Sequence, residues 1–365
     1  MWRQKVACCI SLAALVLASM ERARAAENFA VKTFVPTFNG SDSLGANVST
    51  ILALRLWATL RPRPRPNPNN LYFGVGQIEW SRRTIEEPQA AMQAGTETGS
   101  QIVLWGDARE YGPGVIVLSN LVIPPSEGSA RARQTWTVTV KDASMELGLP
   151  GAGYQFSPLI IGSDVVAKYS RPNQVRVCEA KLADCTGELL GNPFRADRIE
   201  GNFAFVRRPS GATGWVSLPN LSASQSEVIG FTAALISYFR GDFEQAENFF
   251  SNVRDGKPAP GQDIREYRSE GVVRNDAALL AGVSKFRRGQ GIEGLRSAHA
   301  QNPYSRYAVQ ALVMADIALA ASPRSGDAKA AHVKEASELV ESYRDLFPPD
   351  DPWLSAADRS LRNLN

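Results

Sequence analysis

Cys178 and Cys185 stand with six residues between them, a spacing at which a short hairpin sets two thiols face to face. In an oxidising compartment such a pair is expected to form a disulfide, and closing so small a loop contributes about 2 to 3 kcal/mol in the chain-entropy picture. The alternative is a pair of free, buried thiols. Two histidines, His299 and His332, are the other soft-metal donors, but they are far apart in the chain and alanine-flanked, so surface or packing roles are expected and no metal ligand is assigned. Asp350-Asp351 is a carboxylate pair of the kind used for general acid and base work. Enclosed by Pro349 and Pro352, it reads as a turn. Gly74-Val75-Gly76 begins like a dinucleotide loop, yet Glu79 stands where the third glycine belongs, so a bulge or turn is expected. Arg240-Gly241-Asp242 spells an adhesive tripeptide inside a helical turn, and the sequons at Asn39, Asn47 and Asn220 matter only in a eukaryotic secretory pathway. There is no G-x-S-x-G elbow, H-E-x-x-H, P-loop or EF-hand loop. The expectation is therefore a non-enzymatic protein without cofactor or catalytic residues. An envelope hydrolase built from scattered carboxylates stays as an alternative, since such sites leave no local signature.

The compartment is read from the first 26 residues. Arg3 and Lys5 precede the apolar run Val6 to Ala18, and Ala23-Arg24-Ala25 supplies an A-x-A cleavage site, the pattern of a secretory signal. The apolar run is too short to span a hydrocarbon core of about 30 Å, so no transmembrane segment is expected in the mature chain. A periplasmic or secreted location follows. Cleavage removes Arg3, Lys5, Arg22 and Arg24 with Glu21, so 40 basic and 37 acidic residues become 36 and 36. A mature net charge of zero carries no basic excess for nucleic acid. The chain of 365 residues exceeds one ordinary core and suits three domains.

The first domain is expected over 27–150. Val31 to Phe38 is strand-like, a helix with Val48, Ile51, Leu52, Leu56 and Leu60 at helical spacing follows a cap at Ser43 or Asn47, and Arg61 to Pro68 (RPRPRPNP) is a stiff connection. Leu71 to Trp80 reads as a strand and Glu86 to Thr98 as a helix. Gln101 to Gly106 pairs with Gly114 to Ile123 through the turn at Tyr111 to Gly114, and Thr135 to Lys141 adds one more strand. This order predicts an α/β layer with a mixed sheet. Ala90, Ala94 and Val103 to Gly106 resemble a segment of the small TolB-N and CsgG-like domains of exported bacterial proteins, a likeness that implies an assembly or binding module.

The second domain, 151–222, is expected to be a small barrel of short strands at Pro158 to Ile161, Val165 to Tyr169, Val175 to Cys178, Phe203 to Val206 and Gly214 to Leu218. Ala167 to Asn173 and Gly214 to Leu221 resemble the opening and closing segments of a bacterial SH3-like domain. That resemblance nominates Tyr169, Phe205 and Trp215 as contacts for a peptide or for peptidoglycan. The same three also suit the core of a barrel with little else to bury.

After Ser222 the period turns helical, over 223–365. Val228, Ile229, Phe231, Ala234, Leu235 and Tyr238 share a face behind a cap at Ser224 or Ser226. The segment YFRGDFEQAENFF resembles a tetratricopeptide (TPR) unit, with Gly241 at the turn, Ala246 at the close helix contact and Phe250 on the buried face. Gly282 and Gly289 continue the pattern weakly, Arg254 to Ser269 reads as an insertion, and a third pair, Tyr304 to Ala321 and Gly326 to Phe347, completes the array. Such an array either presents a concave face to a protein or peptide partner or packs on the other domains. The expected fold is thus multidomain α+β: a mixed-sheet domain, an SH3-like barrel and TPR-like repeats. The expected function is a scaffold or adaptor in the cell envelope, with peptidoglycan binding as the alternative.

Overall fold

The structure, a computed structural model, describes residues 31–41, 43–60, 77–149, 152–167, 176–181, 187–189, 195–200, 203–207, 211–217, 226–256, 272–323, 326–348 and 350–364. The signal segment 1–26, the RPRPRP run, Gly74 to Gly76, Tyr169, Cys185, Leu218 to Leu221 and most of the insertion after Arg254 lie outside the described residues.

A mixed open sheet anchors the N-terminal half. Strand β1 (Lys32–Thr37) runs parallel to β2 (Gln77–Thr84) on one side and to β3 (Ile102–Tyr111) on the other. Helix α1 (Leu44–Thr59) joins β1 to β2, and α2 (Pro88–Thr98) joins β2 to β3. Alternation decides which face each residue serves. Val35, Ile102 and Leu104 meet Val48, Ile51 and Leu52 in the large core, whereas Phe34, Val103 and Trp105 turn to Ala91 and Ala94 in a smaller core under α2. Ser49 ties the first layer together, accepting from the Phe38 amide at 2.9 Å and standing 2.8 Å from the Pro36 carbonyl. The expected turn at Tyr111 to Gly114 pairs β3 with the antiparallel β4 (Gly114–Val122), with Gly112 at φ 55°, in the left-handed region that favours glycine.

The far edge of β4 differs from the sequence reading. Beyond a short helix, α3 (Gly128–Gln134), the strands β5 (Thr135–Val140) and β6 (Ala143–Gly148) form a separate two-stranded hairpin instead of joining the sheet. The sheet is completed by β7 (Gly153–Gln155) and β8 (Leu159–Gly162), which pair with the two halves of β4. The strand expected at Pro158 to Ile161 therefore belongs to the first sheet, and the one expected from Val165 is the short helix α4 (Ser163–Ala167).

What remains of the second segment is β-rich. The pair β9 (Arg176–Val177) and β10 (Glu188–Leu189) meets an antiparallel sheet of β11 (Arg195–Glu200), β12 (Phe203–Arg207) and β13 (Thr213–Ser217) through a bridge between Cys178 and Trp215.

Three helical hairpins and a closing helix follow: α5 (Glu227–Phe239) with α6 (Phe243–Asp255), α7 (Val272–Arg287) with α8 (Glu293–Gln301), α9 (Arg306–Ala321) with α10 (Lys329–Ser342), then α11 (Pro352–Leu364). Ser226, Asp242 and Ser305 cap their helices by accepting backbone N–H bonds. Gly241 and Gly289 both take φ 76° after the first helix of their hairpins, and Ala246 and Phe250 are fully buried. At the crossing of α7 and α8, a Cβ on Gly282 would lie 2.9 Å from the Gly294 carbonyl carbon, so the two backbones touch.

Helix α11 was not expected, because Pro348-Pro349 reads as the end of the array. Asp351 accepts from the Trp353 amide at 2.8 Å, Pro352 occupies the first helical position, and Trp353, Leu354, Ala357, Leu361 and Leu364 form its buried face. It packs on β5, β6, α9 and α10.

The first helices of the three hairpins do not face solvent. α5 is buried from Val228 to Phe239 because Tyr154 and Phe156 of the sheet edge meet Phe231, at ring separations of 4.6 and 5.8 Å. Trp136 of β5 meets Phe286 of α7 at 5.5 Å, and β5 and β6 cover α9. One continuous apolar core runs from Val31 to Leu364. Of the two arrangements open to the helices, packing on the N-terminal unit is the one observed.

Candidate functional site

Where the sheet edge meets the helices a cleft of about 250 Å³ remains. The end of β6 and the start of β7 form one wall, with Leu147, Leu149, Ala152 and Tyr154, and α7 and α9 form the other, with Leu279, Leu280 and Tyr307. Leucine and tyrosine arrive there for simple reasons of periodicity. Leu147 lies on the buried face of the β5–β6 hairpin, and Leu280 follows Asp276 by one helical turn, so both side chains of α7 point the same way.

Asp276 is the one carboxylate among the described residues lining the cleft. Burial pushes its carboxyl up to about 6, and neither a cation nor a hydrogen-bond donor among the described residues pulls it back. The Tyr154 hydroxyl is raised as well, first by burial and then by the negative charge of Asp276. Tyr307 stands half exposed beside the opening. An apolar cleft with a single unpaired acid and an aromatic rim favours a ligand with an apolar stem and a cationic head. Such a head would supply a countercharge to the acid that burial raises.

The residues singled out in the sequence fall elsewhere. Phe205 and Trp215 are brought together as register partners on β12 and β13, with ring centroids 5.1 Å apart. The Lys181 ammonium sits 4.6 Å above the Trp215 ring, which leaves the residue 8% exposed. Ala204, Val206 and Val216, on the other face, join the main core. A Cβ at Gly214 would lie 2.4 Å from Val177 Cγ1 and 2.7 Å from the Cys178 carbonyl oxygen, so glycine there lets β9 cross closely over β13. Cys178 is buried, and its amide and carbonyl exchange bonds with Trp215.

Asp351 does not close the chain in a C-terminal turn but opens a further helix, as the cap of α11 and the ion-pair partner of Arg306. The histidines are less isolated than their sequence positions suggest. His299 packs edge-on against Tyr343 at 5.3 Å, and burial lowers its pKa. His332 Nδ1 lies 2.8 Å from Asp316 Oδ1, across the α9–α10 contact.

Sequence reasoning missed Asp276 because the segment Val272 to Leu280 reads as an ordinary amphipathic turn. The strands that desolvate the acid lie more than a hundred positions earlier in the chain. Comparison with models of protein families, with curated proteins and with solved structures returned no match.

Proposed function

We propose that the protein is a non-enzymatic binding protein of the cell envelope, a scaffold or adaptor whose cleft receives a lysine or arginine side chain of a protein or peptide partner. Asp276 carries this reading: a desolvated carboxyl with no countercharge among the described residues, walled by leucines and rimmed by Tyr307. The cleft is smaller than the roughly 300 to 1,000 Å³ that drug-sized ligands occupy, and suits one long side chain. A glycosidase-type hydrolase needs two carboxyls flanking the bond it cleaves, and the described lining of this cleft offers one.

The wider reading rests on the sequence. The hairpins are taken as TPR-like repeats on the strength of Gly241, Ala246 and Phe250, the strands β9 to β13 as an SH3-like unit, and Met1 to Ala26 as an export signal. A Cys178–Cys185 disulfide belongs to that location, and counting thiols in the unfolded, unreduced chain tests it.

Calorimetric titration with a blocked Leu-Lys-Leu peptide and its Leu-Glu-Leu counterpart tests the cleft. The lysine peptide is expected to bind the wild type and to lose at least about tenfold in affinity to Asp276→Asn, since a buried charge-assisted contact is worth about 1.5 to 3 kcal/mol. Equal affinity in the variant, or binding of neither peptide by the wild type, would remove the reading.

A further inference from the structure

Away from the cleft, α8, α9 and α10 bring a second polar group together. His332 and Glu335 are one turn apart on α10 and share a face, and Asp316 of α9 lies opposite. One donor atom from each of the three lies within 4.8 Å of the other two. Asp316 is fully buried, and while its Oδ1 contacts His332 Nδ1, its Oδ2 is sealed from solvent without a hydrogen-bond partner among the described residues.

That orphaned oxygen is unexpected for a structural ion pair. A buried carboxylate is normally saturated by donors, and an unsatisfied one costs at least about 1 to 3 kcal/mol. Local charge points the same way. Arg296 of α8 contacts Glu335 through Nε at 3.0 Å and Nη2 at 2.6 Å, and contacts Glu293 through Nη1 at 2.6 Å. With the imidazole neutral, three carboxylates face one guanidinium, so three negative charges less one positive leave two unbalanced.

We propose that Asp316, His332 and Glu335 form a binding site for a divalent transition-metal ion of the zinc class. One imidazole nitrogen and two carboxylates are a donor set that zinc accepts, with open positions left for water. Around a tetrahedral ion with bonds of about 2.0 to 2.2 Å, donors sit roughly 3.4 Å apart. Side-chain rotations of about 1 Å therefore gather the three. The ion takes the place between His332 Nδ1 and Asp316 that a proton otherwise holds, that proton moving to Nε2 of the neutral imidazole or, from an imidazolium, to solvent, and it satisfies the orphaned Oδ2. Glu335 keeps Arg296 as an outer partner that orients the carboxylate, as ligating carboxylates commonly do. Entry is possible because the His332 and Glu335 side chains are 19% and 34% exposed while Asp316 forms the floor. The ion would pin α10 to α9 at the last hairpin, with Asp316 more than two helical turns along α9 from Tyr307 at the cleft.

The test is titration of the full chain with Zn²⁺, read by calorimetry, and with Co²⁺, read by visible absorption. Wild-type protein is expected to bind one equivalent, to show a cobalt d–d spectrum with carboxylate and imidazole character, and to bind at least tenfold more weakly at pH 5.5 than at pH 7.5, since the imidazole must be deprotonated. His332→Ala and, as the variant that keeps a hydrogen bond to Asp316 and so preserves the fold, His332→Gln are each expected to lose at least tenfold in affinity and to lose the spectrum. Zinc binding of unchanged affinity in both variants, or no saturable binding by the wild type, overturns the site and leaves an ordinary histidine–aspartate pair.

Discussion

Phe231 is the residue through which sheet and helices hold one another, and its truncation tests whether they form one cooperative body. Its ring is fully buried and meets Tyr154 at 4.6 Å, Phe156 at 5.8 Å and Phe250 at 5.4 Å, two partners from the sheet edge and one from the second helix of its own hairpin. Replacing a buried phenylalanine by alanine costs about 3 to 5 kcal/mol. Edge-on aromatic pairs add about 0.5 to 1.5 kcal/mol each, though not additively, so Phe231→Ala belongs near the upper end, at about 5 kcal/mol. For a chain of this size that is a drop in Tm of about 5 to 10 °C. Hydrogen exchange read by mass spectrometry separates the two sides of the contact. The peptides covering β1 to β4 and those covering α5 to α9 are expected to lose protection by the same free energy, because unfolding either exposes the shared core. If the helices lose protection while β1 to β4 keep theirs, the halves are independent units and the reasoning fails.

Two further predictions follow from the same packing. Folding favours the protonated form of Asp276, so the native chain binds more protons than the unfolded one, and this group's contribution to stability falls as pH rises from about 4 to about 6. Asp276→Asn should match the wild type at pH 4 and exceed it by up to about 2 kcal/mol at pH 8 in urea unfolding, whereas an offset that ignores pH would contradict this. Gly282→Ala gains about 1 kcal/mol of helix propensity but drives a methyl group into the backbone at Gly294 and Leu295, at a cost of about 1 to 3 kcal/mol. A net loss of up to about 2 kcal/mol in thermal unfolding is expected, and a gain would show that α7 and α8 part freely.

Legibility in the sequence followed the range of the forces involved. The turn at Tyr111 to Gly114, the cap at Ser226 and the glycine of the first helical hairpin are local signals, and each stands where the pattern put it. Helix α11 was equally local, with Asp351, Pro352 and an apolar face from Trp353 to Leu364, but the prolines before it were read as a terminus when they were an interruption. Leu159 to Gly162 has the alternation of any half-buried strand, and only its partner, β4, decides that it completes the first sheet. In α4, Val165 and Val166 argue for a strand, and tertiary context overrides that propensity. The cleft and the His332 cluster were beyond reach for one reason: each joins residues whose nearness is set by helix packing and not by spacing along the chain.

The closing helix also has a consequence for timing. Asn363 Nδ2 donates to the Val140 carbonyl at 3.2 Å and to Asp142 Oδ1 at 2.8 Å, reaching the tip of the β5–β6 hairpin more than 220 positions back in the sequence. Until α11 has been synthesised, that hairpin and α9 lack the surface that covers them, and the long loop this contact closes makes it late and slow to form. A nascent chain is thus held short of this packing until α11 is available. Loss of α11 would uncover the faces of β5, β6, α9 and α10 on which it packs.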